Sequence, residues 1–268
     1  MASDADGPAD PIKRFLRLIE GLRPEGVERS FKMAAGNLLE DRYLMGVRKE
    51  ALSPELLSDI CTGLGMPAAD LRALLKNLPE ARSLHFGFEN SPTGTIYKVY
   101  LEFWGRLNAA LAARPVNREP LVLHLAYKWD AAGAGKSAVA EYRCFPELQG
   151  PQIFERLGRL YAGDAPPSLE AAERIINMAL RRTRKTLMYL EVSEPGNPRA
   201  SFDIRLYPAE LNIADIHPWL VAASRAYVIP PRQFDILYGQ VRNRALGHIS
   251  GGIDRTGRDF LTVYYAAQ

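Results

Sequence analysis

The sequence predicts an α+β fold in which a closed, ten-stranded antiparallel β-barrel of five hairpins is surrounded by helices. Three observations predict it. Five times the chain shows two strand-like runs joined by a turn-rich segment. Helical patterns sit between most of these pairs. The strands carry one apolar face and one face rich in tyrosine and single basic residues. Gly, Asn and Pro clusters between β-rich runs are hairpin signals, and a unit repeated along a chain fixes its architecture.

Taken in order, the first hairpin joins Val27–Ala34 to Leu39–Val47 through Ala35-Gly36-Asn37. Ser53 then caps a helix with Pro54 at its first position, and Pro67–Leu78 follows as a second helix. The next hairpin runs Ser83–Phe88 to Thr95–Phe103, turning at Asn90–Gly94, and Gly105–Ala113 is a short helix. The third joins Leu121–Trp129 to Ser137–Phe145 through Ala131–Gly135, before helices at Pro151–Ala162 and Ser168–Arg182. The fourth pairs Thr186–Val192 with Arg199–Tyr207, turning at Glu194-Pro195-Gly196-Asn197, before helices at Ala209–Ala226 and Pro231–Arg244. The last pairs Gly247–Ile253 with Asp259–Tyr265 across Asp254-Arg255-Thr256-Gly257.

At 268 residues and 47% hydrophobic, the chain can bury one sizeable core. We expect a disordered segment over 1–11, which is small and polar at its start, and a single barrel domain over 12–268. A net charge of +3 with no concentrated basic stripe argues against nucleic acid as a partner. The cluster Arg181, Arg182, Arg184 and Lys185 reads as the cation-favouring end of a helix. Two cysteines, Cys61 and Cys144, are too few for a disulfide framework and suit a reduced, cytoplasmic protein. No apolar run is long enough to span a bilayer, so no membrane partner is expected, and a monomer is the simple reading. The four histidines, His85, His124, His217 and His248, lack metal-ligand spacing. Gly133–Ser137 echoes the end of a phosphate loop but joins two strands.

Period-two alternation separates the faces. Val99, Leu101 and Phe103 oppose Lys98, Tyr100 and Glu102; Phe31 and Met33 oppose Glu28, Ser30 and Lys32. Phe202, Ile204 and Leu206 oppose Asp203, Arg205 and Tyr207; Leu261 and Val263 oppose Thr262 and Tyr264. One packing sets the polar faces in water. The other turns the apolar faces outward against amphipathic helices and lines a lumen with the polar ones, which also removes sheet edges. In that second packing Lys32, Arg42, Lys98 and Arg205 converge inside, near Tyr100, Tyr207 and Tyr264. His85, His124, Tyr189, Asp203 and His248 are further lumen candidates. Enclosed cations need an anion. A diphosphate supplies one, and tyrosine ring faces can shield a carbocation.

Lys98-Val99-Tyr100 and Arg205-Leu206-Tyr207, set in five antiparallel hairpins with flanking helices, resemble the ABBA prenyltransferase fold. Within it, the segment Val27-Glu28-Arg29-Ser30-Phe31-Lys32 followed by Arg42 resembles the first hairpin of the cyanobactin-type peptide prenyltransferases. Tyr97-Lys98-Val99-Tyr100, Lys136-Ser137 through Tyr142, and Tyr264-Tyr265 extend the likeness over most of 25–266. The resemblance implies an isoprenyl diphosphate and a peptide as substrates. It implies Glu28 as general base and Lys32, Arg42, Lys98, Arg143 and Arg205 as diphosphate ligands. Tyr100, Tyr142, Tyr207 and Tyr264 then shield the cation. The basic residue of the third hairpin is either Arg143 or Lys136. Mg²⁺ is implied as an ion bridging diphosphate oxygens. Two alternatives stay open: a small-molecule aromatic prenyltransferase on the same barrel, and a non-enzymatic carrier of an apolar ligand.

Overall fold

The computed structural model describes residues 10–113, 119–133, 137–146 and 148–267. Residues 1–9 of the expected disordered segment, and Lys136, lie outside them. In chain order the elements are α1 (Pro11–Ile19), β1 (Gly26–Ala34), β2 (Asn37–Leu39), β3 (Arg42–Arg48), α2 (Pro54–Gly63), α3 (Ala68–Asn77), β4 (Ser83–Ser91) and β5 (Gly94–Glu102). Then come α4 (Trp104–Ala112), β6 (Leu121–Asp130), β7 (Ser137–Phe145), α5 (Gly150–Leu160), α6 (Pro167–Arg182), β8 (Met188–Ser193) and β9 (Ala200–Arg205). The chain ends with α7 (His217–Ala226), α8 (Pro231–Val241), β10 (Leu246–Ile253) and β11 (Asp259–Ala266).

Among the described residues eleven strands form one antiparallel sheet: β3 to β11 pair in sequence order, and β1, which also pairs with β2, closes it by pairing with both β3 and β11. Seven residue pairs, from Glu28↔Ala266 to Ala34↔Phe260, make the closing seam. Closure leaves the barrel no free edge to recruit another strand. All but the three-residue β2 belong to the ten-stranded barrel. The expected run Leu39–Val47 breaks because β2 folds tightly back on the end of β1, after Gly36 turns the chain at φ 70°. Regular pairing with β4 begins only at Arg42.

Apolar faces point outward. Phe31, Met33, Phe202, Ile204, Ile249, Leu261 and Val263 pack beneath α5–α8 in one core. Met45, Val47, Leu84, Phe86, Val99, Leu101, Tyr127 and Trp129 pack beneath α1–α3 in another. Trp129 is buried with its indole N–H donated to the Leu64 carbonyl at 2.9 Å, so its one polar atom is satisfied.

Two elements differ from expectation. Pro11 opens α1 rather than ending a disordered segment: Asp10 Oδ1 caps it by accepting from Ile12 N, worth about 1 kcal/mol. Phe15 and Ile19 bury against the wall, and the Tyr97 hydroxyl holds the Pro11 carbonyl at 2.8 Å. The helix expected over Ala209–Ala226 starts only at His217. Two 3-10 turns precede it, separated by Glu210 in the left-handed region at φ 51°.

Candidate active site

Alternation sends every second side chain of each strand into the lumen, and the inward residues sort into three layers along the barrel axis. The hairpin turns mark one end, and the connections through helices mark the other.

The turn end is cationic. Lys32, Arg42, Lys98, Lys128, Arg199 and Arg255 share three carboxylates, Glu89, Glu194 and Asp254. Arg42 meets Glu89 at 2.5 Å and donates from Nε to Ser30 Oγ at 3.0 Å. Among the described residues its Nη1 is buried with no hydrogen-bond partner. Glu89 also accepts from Lys98, while Glu194 takes Lys128 at 2.6 Å, Arg199 at 2.8 Å and Arg255 at 3.1 Å. The six cations, with Glu89 and Asp254, border a cavity of about 310 Å³. Burial, reinforced by the Arg42 charge and opposed by Glu89, lowers Lys98 to about 7 and Lys32 to about 8. Both lysines are charged below those values and lose their protons as pH rises through them. An anion that binds here restores the protons. Pyrophosphate affinity should therefore fall between pH 7 and 9, with proton uptake visible by calorimetry at pH 8 in buffers of different ionisation enthalpy. Binding without proton uptake would contradict the lowered lysines.

Tyrosines form the middle layer. Tyr264 borders the cationic cavity, Tyr100 borders the opposite one, and Tyr142 lines both. Tyr100 and Tyr142 meet edge-on at 5.8 Å. Ala126, Ala140 and Val192 pack behind those two rings. Burial raises all three phenols, so they stay neutral donors with intact ring faces.

The helix-connected end mixes acids and histidines around a cavity of about 470 Å³. On one side Glu102 accepts from Ser83 at 2.5 Å and Arg205 at 2.8 Å, with His85 and His124 at 3.5 and 3.7 Å. Burial, which disfavours an extra charge, outweighs Glu102 and lowers His124 to about 3, so it is neutral. On the other side Glu28 lies between His248 and the Tyr207 hydroxyl. Tyr207 reaches it across Gly247, which sits at a bulge between Leu246 and His248. A Cβ on Gly247 would stand 2.6 Å from the Tyr207 hydroxyl, so the approach requires glycine.

No protein-family model and no curated protein matches the sequence. Solved structures do match its fold. A 5-dimethylallyltryptophan synthase from Streptomyces coelicolor superposes with TM-score 0.61 at 13% identity, covering 97% of this chain and 92% of that one. A 6-dimethylallyltryptophan synthase from Micromonospora olivasterospora, in complex with DMASPP and Trp, gives 0.59 at 16% identity over 96% and 95%. PriB in a binary complex with product diphosphate gives 0.57 at 15% identity over 90% and 79%. The fold is the ABBA barrel.

Inside this ABBA barrel Lys32, Arg42 and Lys98 meet in one layer, Tyr100, Tyr142 and Tyr264 in the next, and Glu28, His85, His124, Asp203 and His248 in the third. Four expected residues lie elsewhere. Arg143 points outward, 48% exposed and paired with Glu141 at 2.6 Å, because its neighbour Tyr142 takes the inward phase. Tyr189 also faces outward, buried against α5 and α6 beside Phe145. Arg205 is inside but at the opposite end from the cations, held by Glu102. Tyr207 is 42% exposed at the mouth, because the strand ends at Arg205 and Pro208 follows in a 3-10 turn. Lys128, Arg199 and Arg255 escaped the sequence reading. The first two share strand phase with His124 and with Asp203, and that parity was the available signal.

Proposed function

We propose that the protein is a prenyltransferase that moves a dimethylallyl or geranyl group from its diphosphate to a side chain of a ribosomally made peptide. The observation that carries this reading is the layering itself: cations, then tyrosines, then a carboxylate, stacked inside one closed wall. In the proposed reaction the diphosphate lies among Lys32, Arg42, Lys98, Lys128 and Arg199, and the unpartnered Arg42 Nη1 donates to one of its oxygens. The allylic C–O bond breaks with its electron pair leaving on the diphosphate. Tyr100, Tyr142 and Tyr264 present ring faces to the cation, each worth about 0.5–2 kcal/mol. An electron pair of the acceptor forms the new bond, and the acceptor's proton passes to Glu28. A carrier of apolar ligands needs an apolar lumen, and this one is charged.

Magnesium, which the resemblance implies, would join through donor oxygens. Among the described residues no group of three or more His, Cys, Asp or Glu could hold a metal. Glu89 and Asp254, the acids of the cationic cavity, are already paired to lysine or arginine. The surplus of cations supports anion binding without a metal. Pyrophosphate should therefore still bind, by calorimetry, after EDTA treatment; loss of binding that returns with Mg²⁺ would assign the ion an obligatory bridge.

A second reading, a small indole as acceptor, is favoured by the two neighbours described as dimethylallyltryptophan synthases. Against it stands a polar trench bordered by Arg48, Glu50, Arg82 and Trp104. It shares Glu25, Ser83 and Glu102 with the acceptor-side cavity, offering room for an acceptor larger than an indole. Mass spectrometry of cyclic and linear peptides, tryptophan and a phenol, each with dimethylallyl and geranyl diphosphate, separates these readings. A one-prenyl mass gain on peptides is expected; gain on tryptophan or the phenol alone would replace the peptide, and none on any acceptor would remove the transferase. Among the described residues no helix is long and apolar enough to cross a membrane; we propose a cytoplasmic monomer.

A further inference from the structure

We infer that Asp203 and His248 form a hydrogen-bonded relay with Glu28, in which His248 is a positioning residue that keeps Glu28 ionised and aimed at the acceptor. This rests on the transfer reading above.

The geometry begins with three strands. β9 supplies Asp203, β10 supplies His248, and β1 supplies Glu28 from across β11. His248 Nδ1 lies 2.9 Å from Asp203 Oδ2, and Nε2 lies 3.2 Å from Glu28 Oε2. An imidazole flanked at both nitrogens by carboxylates satisfies both only by carrying both protons. The ring is stacked on Tyr264 at 3.8 Å and 10°, so its plane, and the line from Asp203 to Glu28, is fixed. The second oxygen of Glu28 accepts from Tyr207.

Of the other ionisable groups that line this layer, His85 also acts to lower Glu28, and Glu25 is paired with Arg48. Arg205 is committed to Glu102 across the lumen, His85 also borders Glu102, and His124 is uncharged. Burial disfavours a charge on His248, but Asp203 and Glu28 overcome it and push the ring up to about 10. Burial likewise would raise Glu28; the imidazolium and the Tyr207 hydroxyl bring it down to about 2.

A carboxylate held that low is a weak base, and here a weak base suffices. Once the acceptor has given an electron pair to the allylic carbon, its departing proton is strongly acidic. The base must be unprotonated and correctly placed, and the relay supplies both. The proton moves to Glu28, and the imidazolium stays bound to Asp203.

Two measurements test this. In wild-type protein, nitrogen NMR of the imidazole should show His248 protonated at both ring nitrogens at pH 8. A ring that titrates near the ordinary histidine value, about 6.5, overturns the relay. In His248→Gln and Asp203→Asn, the acid limb of kcat/KM should move up by about one pH unit or more, with pyrophosphate affinity unchanged. A variant that binds pyrophosphate but keeps the wild-type acid limb also overturns it. The NMR arm needs neither turnover nor a variant that folds. An inactive wild type therefore removes the transfer reading, while the ring nitrogens still decide the relay.

Discussion

Glu28→Gln should bind its prenyl diphosphate as tightly as the wild type and transfer the group roughly 10²- to 10⁴-fold more slowly, the usual effect of removing a positioned base. Donor binding survives because the cations proposed to hold the diphosphate lie beyond the tyrosine layer from Glu28. The fold survives because Asp203 still faces His248 at 2.9 Å and an amide still accepts from Tyr207. Single-turnover mass spectrometry with calorimetry of pyrophosphate reads both halves. Full turnover would take Glu28 out of the mechanism; lost pyrophosphate binding would mean that the layers are not separate.

Arg42→Met carries the second large effect, and it falls on the donor. Arg42 is buried, tied to Glu89 and Ser30, and among the described residues one of its nitrogens has no hydrogen-bond partner. A charged hydrogen bond contributes about 1.5–3 kcal/mol, so the variant should lose roughly 10- to 150-fold in pyrophosphate affinity. Glu89 retains Lys98 as a partner, so the variant folds. Arg143→Ala is the matching control: its side chain lies on the outer wall with Glu141, and its affinity should equal the wild type. Equal losses in the two variants would place the anion somewhere other than the lumen.

The contrast between those arginines shows what could be read from the sequence. Turn clusters and alternation located all five hairpins, and the tyrosine-rich inner faces argued for closure. Phase within a strand was legible wherever alternation ran unbroken, as from Lys98 to Glu102. It failed where a backbone irregularity intervened. The register shift between Val122 and His124 obscured the third hairpin, and there Arg143 was placed inside while Lys128 was passed over. Arg205-Leu206-Tyr207 imitated the Lys98-Val99-Tyr100 pattern, yet its strand stops at Arg205. Depth along the barrel axis is carried only by a residue's distance from its turn, midway along β5 for Lys98 and at the end of β9 for Arg205. Alternation assigns a face and carries no information about height, so Arg205 looked equivalent to Lys98 although the two sit at opposite ends. The acid–histidine pairs were hidden for a related reason, since Asp203, His248 and Glu28 are joined only when the chain's two ends meet at the seam.

Tyr142 lines both cavities, and in the proposed reaction that position gives it a say in the fate of a short-lived intermediate. In the proposed reaction a cation formed on one side of this ring has two competitors for it: the acceptor on the far side, and water. Shortening the side chain to Ala joins the chambers and removes the barrier between them. The donor would then still ionise, but a larger share would end as free prenyl alcohol, and the ratio of alcohol to prenylated acceptor would report how well a single ring keeps the solvent out.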